Sequence, residues 1–556
     1  MATEKLVKLV AEQFMCLGID LSSDIYQKCA NLCEEQRLDP EEFVERWMAF
    51  SISNLNGIAP SIKHLESFER KEFSKRAPDH GNVPVKVTDT LPVSEEDVLA
   101  NYLDAPTVSI NKIHNVYYFR KSESVYSNRL NAGAIVQTYG DSELLNKLSN
   151  KSDIGDAVLN VTKVPNEQGN LCNQTTFGFD LLHEKVARCE THISDVANYL
   201  MQKNDVTQTE SVKRKTQTPI YVAGRIECDS DARLNAKSVV LQGTWEESLN
   251  DCVRVDLDQL PKYSIFAGQV VLFKGINPRG QKFIAQEVFY DAAKPCVKIF
   301  LILGTLSVMI ASGPFTTSDN LDYEPFKDLL HHIASYKPNM VMLVGPFIDT
   351  DHPKVRDFMN GETYVDLFEK LISGVVEVAG ASPKTQFYIV PTVRETFHMC
   401  IYPTPPYQYS RNLPNIHFVS DPTMLNINGV TLTATSTDVL MHISQEEINR
   451  GMAGDKLSRF ASHVLGQQTM YPVYPPPSSV PMDATLWSEH AMLSYTPHIL
   501  VLPSSFRYFV KEVHGSVVIN PGFLTKGAGG GTFVRALITT DDTGENMKLA
   551  AEIVRI

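Results

Sequence analysis

The spacing of apolar residues changes along the chain, and these changes require regions that fold in different ways. Apolar residues recur every three to four positions before residue 75, alternate with polar ones from 219 to 290, and form short runs between helical patterns beyond 298. Helices repeat every 3.6 residues and strands every two, so no single repeating fold suits all three patterns. The 556 residues also exceed what one core holds. We therefore expect a multidomain α+β protein.

The first 75 residues carry the pattern of a small helical module. Amphipathic helices are predicted over 4–17 and 22–36, and the segment DPEE (39–42) opens a third. That segment places a cap, a proline and acidic residues where a helix N-terminus favours them. We predict that residues 1–75 form a helical docking domain for other proteins; the alternative is a module that only aids solubility.

Residues 76–165 have the composition of a flexible linker, because prolines interrupt polar and acidic sequence. An aromatic stretch near 115–140 is predicted to pack on a folded neighbour. Residues 166–215 follow as a helical lead-in, with the helical pattern over 176–203.

A short basic run, KRK (213–215), precedes the dipeptide Thr218-Pro219. Three consecutive cations are typical of a nuclear import signal or a basic contact, and equally of a solvated loop. Thr218 is a candidate site for proline-directed phosphorylation.

Residues 216–295 are predicted to form a small β-barrel of the OB type. Five short strands with glycine or polar turns between them fit that fold. OB barrels often bind nucleic acid by stacking bases on exposed aromatic residues. We expect Phe266, Phe273 and Phe283 to fill the core instead. Protein binding is therefore favoured, with DNA contact weak or indirect.

Residues 296–556 alternate strands with helices, which predicts an α/β sandwich with helices outside. The helices are predicted near 324–336, 362–379, 444–465 and 504–513. The strands are predicted over 298–310, 340–344, 386–390, 416–419, 430–434, 498–502, 516–519 and 532–538. The proline-rich segment YPVYPPP (471–477) is predicted to cross the surface without regular structure.

Bulk composition excludes several classes of protein. The formal net charge is −14, which disfavours a large surface for gripping duplex phosphates. The nine cysteines form no CxxC pair, which disfavours a structural zinc site. No apolar run is long enough to cross a membrane, and the N-terminus has no signal-peptide pattern. We expect a cytosolic or nuclear protein with no membrane partner.

Four loops at predicted strand ends resemble the metal-binding loops of calcineurin-like metallophosphoesterases. Those enzymes hold two cations with carboxylates, imidazoles and an asparagine, because paired dications need anionic and neutral ligands. Here the corresponding positions are occupied by Gly313, Phe315, Pro346, Val393, Arg394, Ser504 and Phe506.

None of the six ligand positions among these offers a good metal ligand, and Arg394 stands where those enzymes have the catalytic histidine. The resemblance therefore implies a degenerate phosphoesterase fold, with no catalytic residues, no metal and no cofactor. Asp349, Asp351 and His352 share a loop and are a weak alternative cation site. We find no GxSxG, P-loop or HExxH pattern.

An OB barrel followed by such a domain is the plan of the B subunits of replicative DNA polymerases, and the chain resembles those of DNA polymerase alpha–primase. The resemblance rests on long specific stretches: GRIECDSDARLNAKSVVLQG (224–243), FAGQVVLFKGIN (266–277), SGPFTTSDNLDYEP (312–325), GPFID (345–349), LNINGVTLTATSTDVLMHI (425–443), YPVYPPP (471–477), LPSSFRYFVKEVHGSVVINPGFLTKGAGGGTFVRALI (502–538) and VRI (554–556).

The resemblance implies a non-catalytic regulatory scaffold in the nucleus. Its OB and phosphoesterase-like domains would bind the zinc-bearing C-terminal domain of the catalytic subunit, and so join polymerase to primase for primer synthesis at the initiation of DNA replication. The N-terminal helices would dock other replication proteins, and Thr218 would fit the family's proline-directed phosphorylation. Two alternatives remain: an active metallophosphoesterase with displaced ligands, and a B subunit of DNA polymerase delta or epsilon.

Overall fold

The computed structural model of the protein describes most of the chain, with gaps that are widest before residue 175. The described residues are 4–16, 21–36, 38–40, 43–44, 46–47, 50, 60, 62–73, 126–150, 159–164, 171–172, 175–230, 232–296, 304–356, 361–409, 411, 413–540 and 547–556. Among them, no helix combines the length and apolar character needed to span a bilayer.

The N-terminal unit is helical. Helices α1 (Glu4–Cys16), α2 (Ser23–Gln36) and α3 (Ile62–Phe73) are described in full, and so are several helical positions between 40 and 50. The predicted third helix therefore lies only partly within the described residues. Its Phe43, Trp47 and Phe50 are buried around Phe68 of α3, with ring centroids 5.2–5.7 Å apart. Aromatic side chains supply most of this small core.

Most of the region predicted as a linker lies outside the described residues, including 74–125. Within it, β1 (Ile135–Tyr139) pairs antiparallel with the last strand of the chain, and α4 (Ser142–Asn150) follows. A three-residue strand, β2 (Val161–Lys163), joins the edge of a second sheet.

A closed five-stranded barrel occupies residues 216–289. Its strands are β3 (Thr216–Cys228), β4 (Val239–Gly243), β5 (Cys252–Asp256), β7 (Val270–Asn277) and β8 (Lys282–Phe289), in the order β3-β4-β5-β8-β7. A short helix, α6 (Trp245–Ser248), connects β4 to β5. Phe266, Phe273 and Phe283 are fully buried, so none of them is available to stack on a base. Phe273 and Phe283 lie in the barrel core as predicted, whereas Phe266 packs in the apolar cluster of the sandwich, beside His463.

Helix α5 (Leu182–Lys203) lies against the barrel. Ile193, Val196 and Leu200 pack on Val270 and Leu272 of β7 in one buried cluster. The helix begins later than the predicted 176, and its end agrees with the prediction.

Two sheets form the core of the C-terminal region. The strands of the first sheet that follow the barrel are β9 (Leu306–Ser312), β10 (Met340–Val344), β11 (Gln386–Val390), β12 (Ile416–Phe418), β21 (Thr532–Thr540) and β22 (Met547–Arg555). Those of the second are β13 (Thr423–Ile427), β14 (Val430–Ala434), β16 (Ile499–Val501), β17 (Phe509–Val513) and β18 (Ser516–Asn520). The first sheet has the order β1-β22-β21-β9-β10-β11-β12, and the second has the order β17-β18-β16-β14-β13-β2. The region also contains a short helix, α8 (Pro353–Arg356), and two short paired strands, β19 (Thr525–Lys526) and β20 (Gly529–Gly530).

The sheets face each other across one large apolar cluster, to which alternate residues of each strand contribute. Helices cover the outer faces. On the first sheet α7 (Glu324–Tyr336) places His332 against Phe533 of β21, and Leu330 lies near Gly374 of α9 (Tyr364–Ala381). On the second sheet Leu500 and Val518 pack with α10 (Val439–Glu446), α11 (Lys456–Gly466) and α12 (Ala484–His490). The result is a helix–sheet–sheet–helix sandwich.

Two of the predicted helices are wrong. The helix expected over 444–465 is interrupted by β15 (Ile448–Arg450), which pairs with β6 (Tyr263–Ile265). The helix expected over 504–513 is strand β17. Its apolar spacing suits a helix, but His514 and Gly515, with φ of 51° and 78°, form a tight turn that pairs β17 with β18. Two successive positive φ values match the right-handed twist of a hairpin.

The segment 471–477 also differs from its prediction, because its first half is buried. Tyr471 and Val473 are 1% and 2% exposed. The Tyr474 N–H donates to the carbonyl of Ala267 in the barrel at 3.2 Å, and the guanidinium of Arg225 lies 4.1 Å from the Tyr474 ring centre. The segment therefore lies between the barrel and the sandwich.

Buried polar groups join the barrel to the sandwich. Ser264 of β6 contacts both Glu447 and His463, and Glu447 accepts two hydrogen bonds from Arg459 at 2.7 and 3.0 Å. The Gln467 side chain accepts from the Val270 N–H at 2.6 Å and donates to the Val270 carbonyl at 3.1 Å. Together with the β6–β15 pairing, these contacts fix the two parts relative to each other.

Candidate functional site at the strand ends

Strands β9, β10 and β11 are parallel neighbours, so their C-terminal ends lie side by side. The Gly313 N–H donates to the Val344 carbonyl at 2.8 Å, and the Gly345 N–H donates to the Val390 carbonyl at 2.9 Å. A Cβ at Gly313 would lie 2.1 Å from the Pro346 carbonyl oxygen, so only glycine fits there. The fold thus brings Gly313 and Pro346 together, at the edge of the sheet where α/β proteins usually bind ligands.

The space beside these two residues is filled by aromatic rings. Phe315 is fully buried, and its ring centre lies 4.6 Å from that of Phe347 and 5.1 Å from that of Phe326. Phe368 and Tyr407 extend the cluster on the other side of Phe347. Phe315 therefore contributes apolar packing to this part of the fold.

Glu395, two residues after Val393, is buried and bound by neutral donors. Its Oε2 accepts from the Phe347 N–H at 3.0 Å and the Tyr407 hydroxyl at 2.6 Å, and its Oε1 accepts from the Ile348 N–H at 2.5 Å. Burial raises the pKa of Glu395 to about 7. The carboxyl group thereby ties the loop after β11 to the loop after β10.

Arg394 makes a second tie between the same loops. Its Nε donates to Asp349 Oδ1 at 3.2 Å, and its guanidinium also binds Oδ2 of that residue. Burial raises the pKa of Asp349, and the adjacent guanidinium opposes this. The Arg394 side chain is 41% exposed to solvent, whereas that of Asp349 is only 7% exposed.

His352, in the same loop, is held by backbone groups. Its Nε2 lies 2.9 Å from the Thr317 carbonyl oxygen, and its Nδ1 accepts from the Lys354 N–H at 3.1 Å. Both ring nitrogens are thus engaged. Asp351 lies 3.4 Å from the Arg394 Nε.

Ser504 and Phe506 follow β16 in the second sheet. The Ser504 N–H donates to Asn520 Oδ1 at 3.0 Å, and its hydroxyl oxygen accepts from the Phe506 N–H at 3.2 Å. Phe506 belongs to the same buried apolar cluster as Val393, and its ring centre lies 6.0 Å from that of Phe460. The predicted positions are therefore divided between an aromatic cluster at Phe315 and an apolar cluster at Val393 and Phe506.

Two further carboxylates at loop ends, one buried and one half-buried, were not singled out by the sequence. Asp421 accepts from the Ser436 N–H at 3.0 Å and from its hydroxyl at 2.5 Å, and burial raises its pKa to about 6. Asp438, the N-cap of α10, accepts from the Ser505 N–H and hydroxyl, both at 2.8 Å. Each acid follows a predicted strand within a few residues, and this placement is the sequence feature that could have identified it.

Thr218 lies on the exposed side of β3. The β3–β7 register shifts between Thr216 and Ile220, and within that irregular stretch the hydroxyls of Thr216 and Thr218 lie 3.0 Å apart. Lys213 and Arg214 form ion pairs with Asp251 and Glu210 on the surface.

Comparison with known proteins identifies the class of the chain. Residues 308–511 match the family model that describes the B subunit of DNA polymerase alpha or epsilon. An OB barrel joined to this two-sheet sandwich therefore defines a B subunit of a replicative DNA polymerase.

More specific matches distinguish the members of that class. Residues 180–291 match the model for the OB domain of the DNA polymerase alpha B subunit, and residues 8–75 match the model for its N-terminal region. The chain is 31% identical to the DNA polymerase alpha B subunit of Rattus norvegicus and 30% identical to that of Drosophila melanogaster, covering 98% of this chain and 99% of each relative. It is 25% identical to that of Saccharomyces cerevisiae over 59% of this chain and 55% of the relative.

The chain belongs to the family of DNA polymerase alpha B subunits, and its role is that of an accessory subunit of DNA polymerase alpha in DNA replication. The resemblance predicted from the sequence is confirmed. Neither alternative, an active phosphoesterase or a subunit of polymerase delta or epsilon, is favoured by these matches.

Proposed function

We propose that this chain is a non-catalytic scaffold of the DNA polymerase alpha–primase complex in the nucleus. The barrel and the sandwich together bind the zinc-bearing C-terminal domain of the catalytic subunit, and so connect polymerase to primase. The sandwich is a calcineurin-like phosphoesterase fold that has lost its metal ligands.

The observation that carries this proposal is the engagement of the strand-end carboxylates by protein donors. Both oxygens of Glu395 accept hydrogen bonds from neutral groups, and Asp349 is bound by Arg394. A pair of dications would need those oxygens, and removing an anionic ligand from buried cations costs many kcal/mol. Among the described residues, no group of three or more His, Cys, Asp or Glu side chains is placed to hold a metal ion. The residues present do not fit a dimetal centre.

The layered architecture supports a phosphoesterase ancestry. Parallel strands β9 to β12 lie in one of two facing sheets, and helices cover both outer faces. The candidate loops follow strand ends in the order that the sequence resemblance requires. Retention of the fold without ligands fits a domain that now offers a binding surface.

The fixed joint between barrel and sandwich supports a scaffold role. A surface that spans two domains binds a partner without an ordering cost only if the domains keep one relative orientation. We assign residues 216–295 to the barrel, 166–215 to its helical lead-in and 296–556 to the sandwich. Residues 1–75 dock other replication proteins. The linker is restricted to the part of 76–165 that precedes β1, because β1 and β2 belong to the sheets of the sandwich.

Co-purification tests the scaffold role. The full chain, co-expressed with the catalytic and primase subunits, is expected to purify with them, and a chain lacking residues 1–75 is expected to do so equally well. Loss of the complex on that deletion would place the main interface in the N-terminal unit.

Metal content and hydrolysis test the loss of enzyme activity. The purified chain is expected to contain less than stoichiometric divalent metal and to leave a model phosphodiester intact when manganese or zinc is added. Turnover that disappears on Asp349→Asn would establish an enzyme.

Thr218 is the proposed phosphorylation site, because it is exposed and precedes proline in an irregular part of β3. A proline-directed kinase is expected to add one phosphate to the full chain, located at Thr218 by mass spectrometry and absent in Thr218→Ala. Unchanged incorporation in that variant would reject the assignment.

A further inference from the structure

One face of α5 is apolar along its whole length but is covered over only half of it. Leu182, Val186, Cys189, Ile193, Val196 and Leu200 follow one another at alternating spacings of four and three residues, which place them on a single stripe. The last four are at most 6% exposed, and Ile193, Val196 and Leu200 among them pack on the barrel. Leu182 and Val186 are 79% and 46% exposed.

The open half of the stripe continues onto neighbouring apolar residues. Phe179 precedes the helix and is 79% exposed. Glu190, one turn beyond Val186, accepts from the Trp245 N–H at 3.2 Å, and so places α6 beside α5. Trp245 and Leu249 are 57% and 70% exposed. We call Phe179, Leu182, Val186, Trp245 and Leu249 the α5–α6 strip.

The helix that carries this strip is held firmly, so the strip is a prepared surface. Beyond its contact with the barrel, α5 reaches the sandwich, where Arg188 lies 3.6 Å from Glu489 and the ring of His192 lies 5.0 Å from that of Trp487. The Thr485 N–H also donates to Asp180 at 3.2 Å. Contiguous exposed apolar side chains on a fixed element mark a protein-binding surface.

Charge at the edge of the strip indicates the kind of partner. Glu190, Glu246 and Glu247 border Trp245, and in the part of the chain that the structure describes no cation lies within ion-pair distance of them. Burial raises the pKa of Glu190, and the Trp245 N–H and the charge of Arg225 oppose this. An apolar segment flanked by lysine or arginine complements this surface.

We propose that the α5–α6 strip binds an apolar helix of the catalytic subunit of DNA polymerase alpha, with basic residues of that helix facing Glu190, Glu246 and Glu247. This inference rests on the proposed scaffold function and locates one anchor of its interface. The partner helix covers Leu182 and Val186, the exposed part of the stripe that packs on the barrel from Ile193 onward.

The test measures affinity of the full chain for the catalytic subunit. The double variant Leu182→Glu/Val186→Glu places charge in the strip and is expected to weaken binding about tenfold or more, as does Trp245→Ala. The matched control is Val365→Glu on α9, because Val365 is 49% exposed and Val186 is 46% exposed. The control is expected to bind like the unmodified chain.

A charge-reversal variant tests the basic flank. Glu246→Lys/Glu247→Lys is expected to weaken binding about threefold at low salt, with the difference shrinking as salt is added. Leu182→Ala/Val186→Ala serves as a second apolar variant, since alanine preserves the helix, and equal unfolding midpoints establish that each variant is folded.

The outcomes separate this inference from the scaffold proposal. If the unmodified chain fails to bind the catalytic subunit, the scaffold proposal falls. If it binds and the strip variants bind as tightly as Val365→Glu, only the strip assignment falls. Dimerisation of the free chain that Leu182→Glu abolishes would instead assign the strip to a second copy.

Discussion

Two buried glutamates show how differently one side chain behaves in two parts of this molecule. Glu395 lies at the strand ends of the first sheet and accepts hydrogen bonds from two backbone N–H groups and the Tyr407 hydroxyl. Glu447 lies at the joint with the barrel and binds Arg459, with Ser264 and His463 beside it. Burial raises the pKa of Glu395 to about 7, whereas the hydrogen bonds of His463 and Arg459 outweigh burial and lower the pKa of Glu447.

The difference between these two glutamates follows from the charge of their hydrogen-bond partners. At Asp349, by contrast, burial raises the pKa even though the Arg394 guanidinium opposes it. Neutral donors only partly replace water, so Glu395 keeps its proton up to near-neutral pH. Asp421, bound by the backbone and hydroxyl of Ser436, behaves in the same way. A guanidinium supplies two charge-assisted hydrogen bonds and compensates the cost of burying a charge.

Glu447→Ala is expected to have the largest effect. It removes the carboxylate that accepts two hydrogen bonds from Arg459, a cation whose side chain is only 14% exposed. Breaking such a pair costs about 3–5 kcal/mol. Urea denaturation of the full chain at about pH 7 should show this loss in the free energy of unfolding. A loss below about 1 kcal/mol would mean that water reaches the joint.

Glu395 should make the protein less stable as the pH rises. Its pKa is about 7 in the folded protein and 4.5 when unperturbed, so between these values the folded state holds more protons than the unfolded state. Its contribution is therefore complete below about pH 4.5, falls as the pH rises, and is lost above about pH 7. The change amounts to about 3 kcal/mol.

The measurement compares the unmodified chain with Glu395→Gln, in which this group does not titrate. The difference in free energy of unfolding should fall by about 3 kcal/mol between about pH 4.5 and pH 8. Glu447 acts in the opposite sense, since its lowered pKa costs stability only as the pH falls below its ordinary value of 4.5. A difference that is constant with pH would show that Glu395 is ionised throughout.

Tyr407→Phe should have a smaller effect and should shift that pH range. The change removes one neutral donor from Glu395 at nearly constant volume, which costs about 1 kcal/mol. Because the lost hydrogen bond favours the carboxylate, the pKa of Glu395 should rise further, and the fall in stability should move to higher pH. The same series of urea denaturations measures the loss in the free energy of unfolding and the pH range over which stability falls. A shift of that pH range to lower pH would contradict this account.

Sequence patterns predicted much of the fold because buried strands leave strong local signals. Met340–Val344, Gln386–Val390 and Val430–Ala434 are short apolar runs, and they form β10, β11 and β14 as predicted. Strand β17 was missed because its Phe509, Val510 and Val513 also fit a helical stripe, and the turn at His514 decides the outcome.

The chemistry at the candidate site was less accessible to sequence. The sequence alone shows that Pro346 and Phe315 are poor metal ligands, because this depends only on the residue type. The role of Glu395 could not be predicted from the sequence. Its donors are backbone groups in the loop after β10, far earlier in the chain, and the hydroxyl of Tyr407, which follows it in the chain. Such contacts depend on which strand ends the fold brings together.

Glu362→Ala is expected to have the smallest effect, and it separates burial from pairing in the Glu447 result. Glu362 also binds a cation, Lys370, at 2.5 Å, but the two side chains are 41% and 60% exposed. Solvent screens this pair, so its loss should cost less than about 1 kcal/mol and should diminish further in salt. Urea denaturation beside Glu447→Ala makes the comparison direct. If both variants lose the same free energy, pairing alone would account for the Glu447 effect and burial would add nothing.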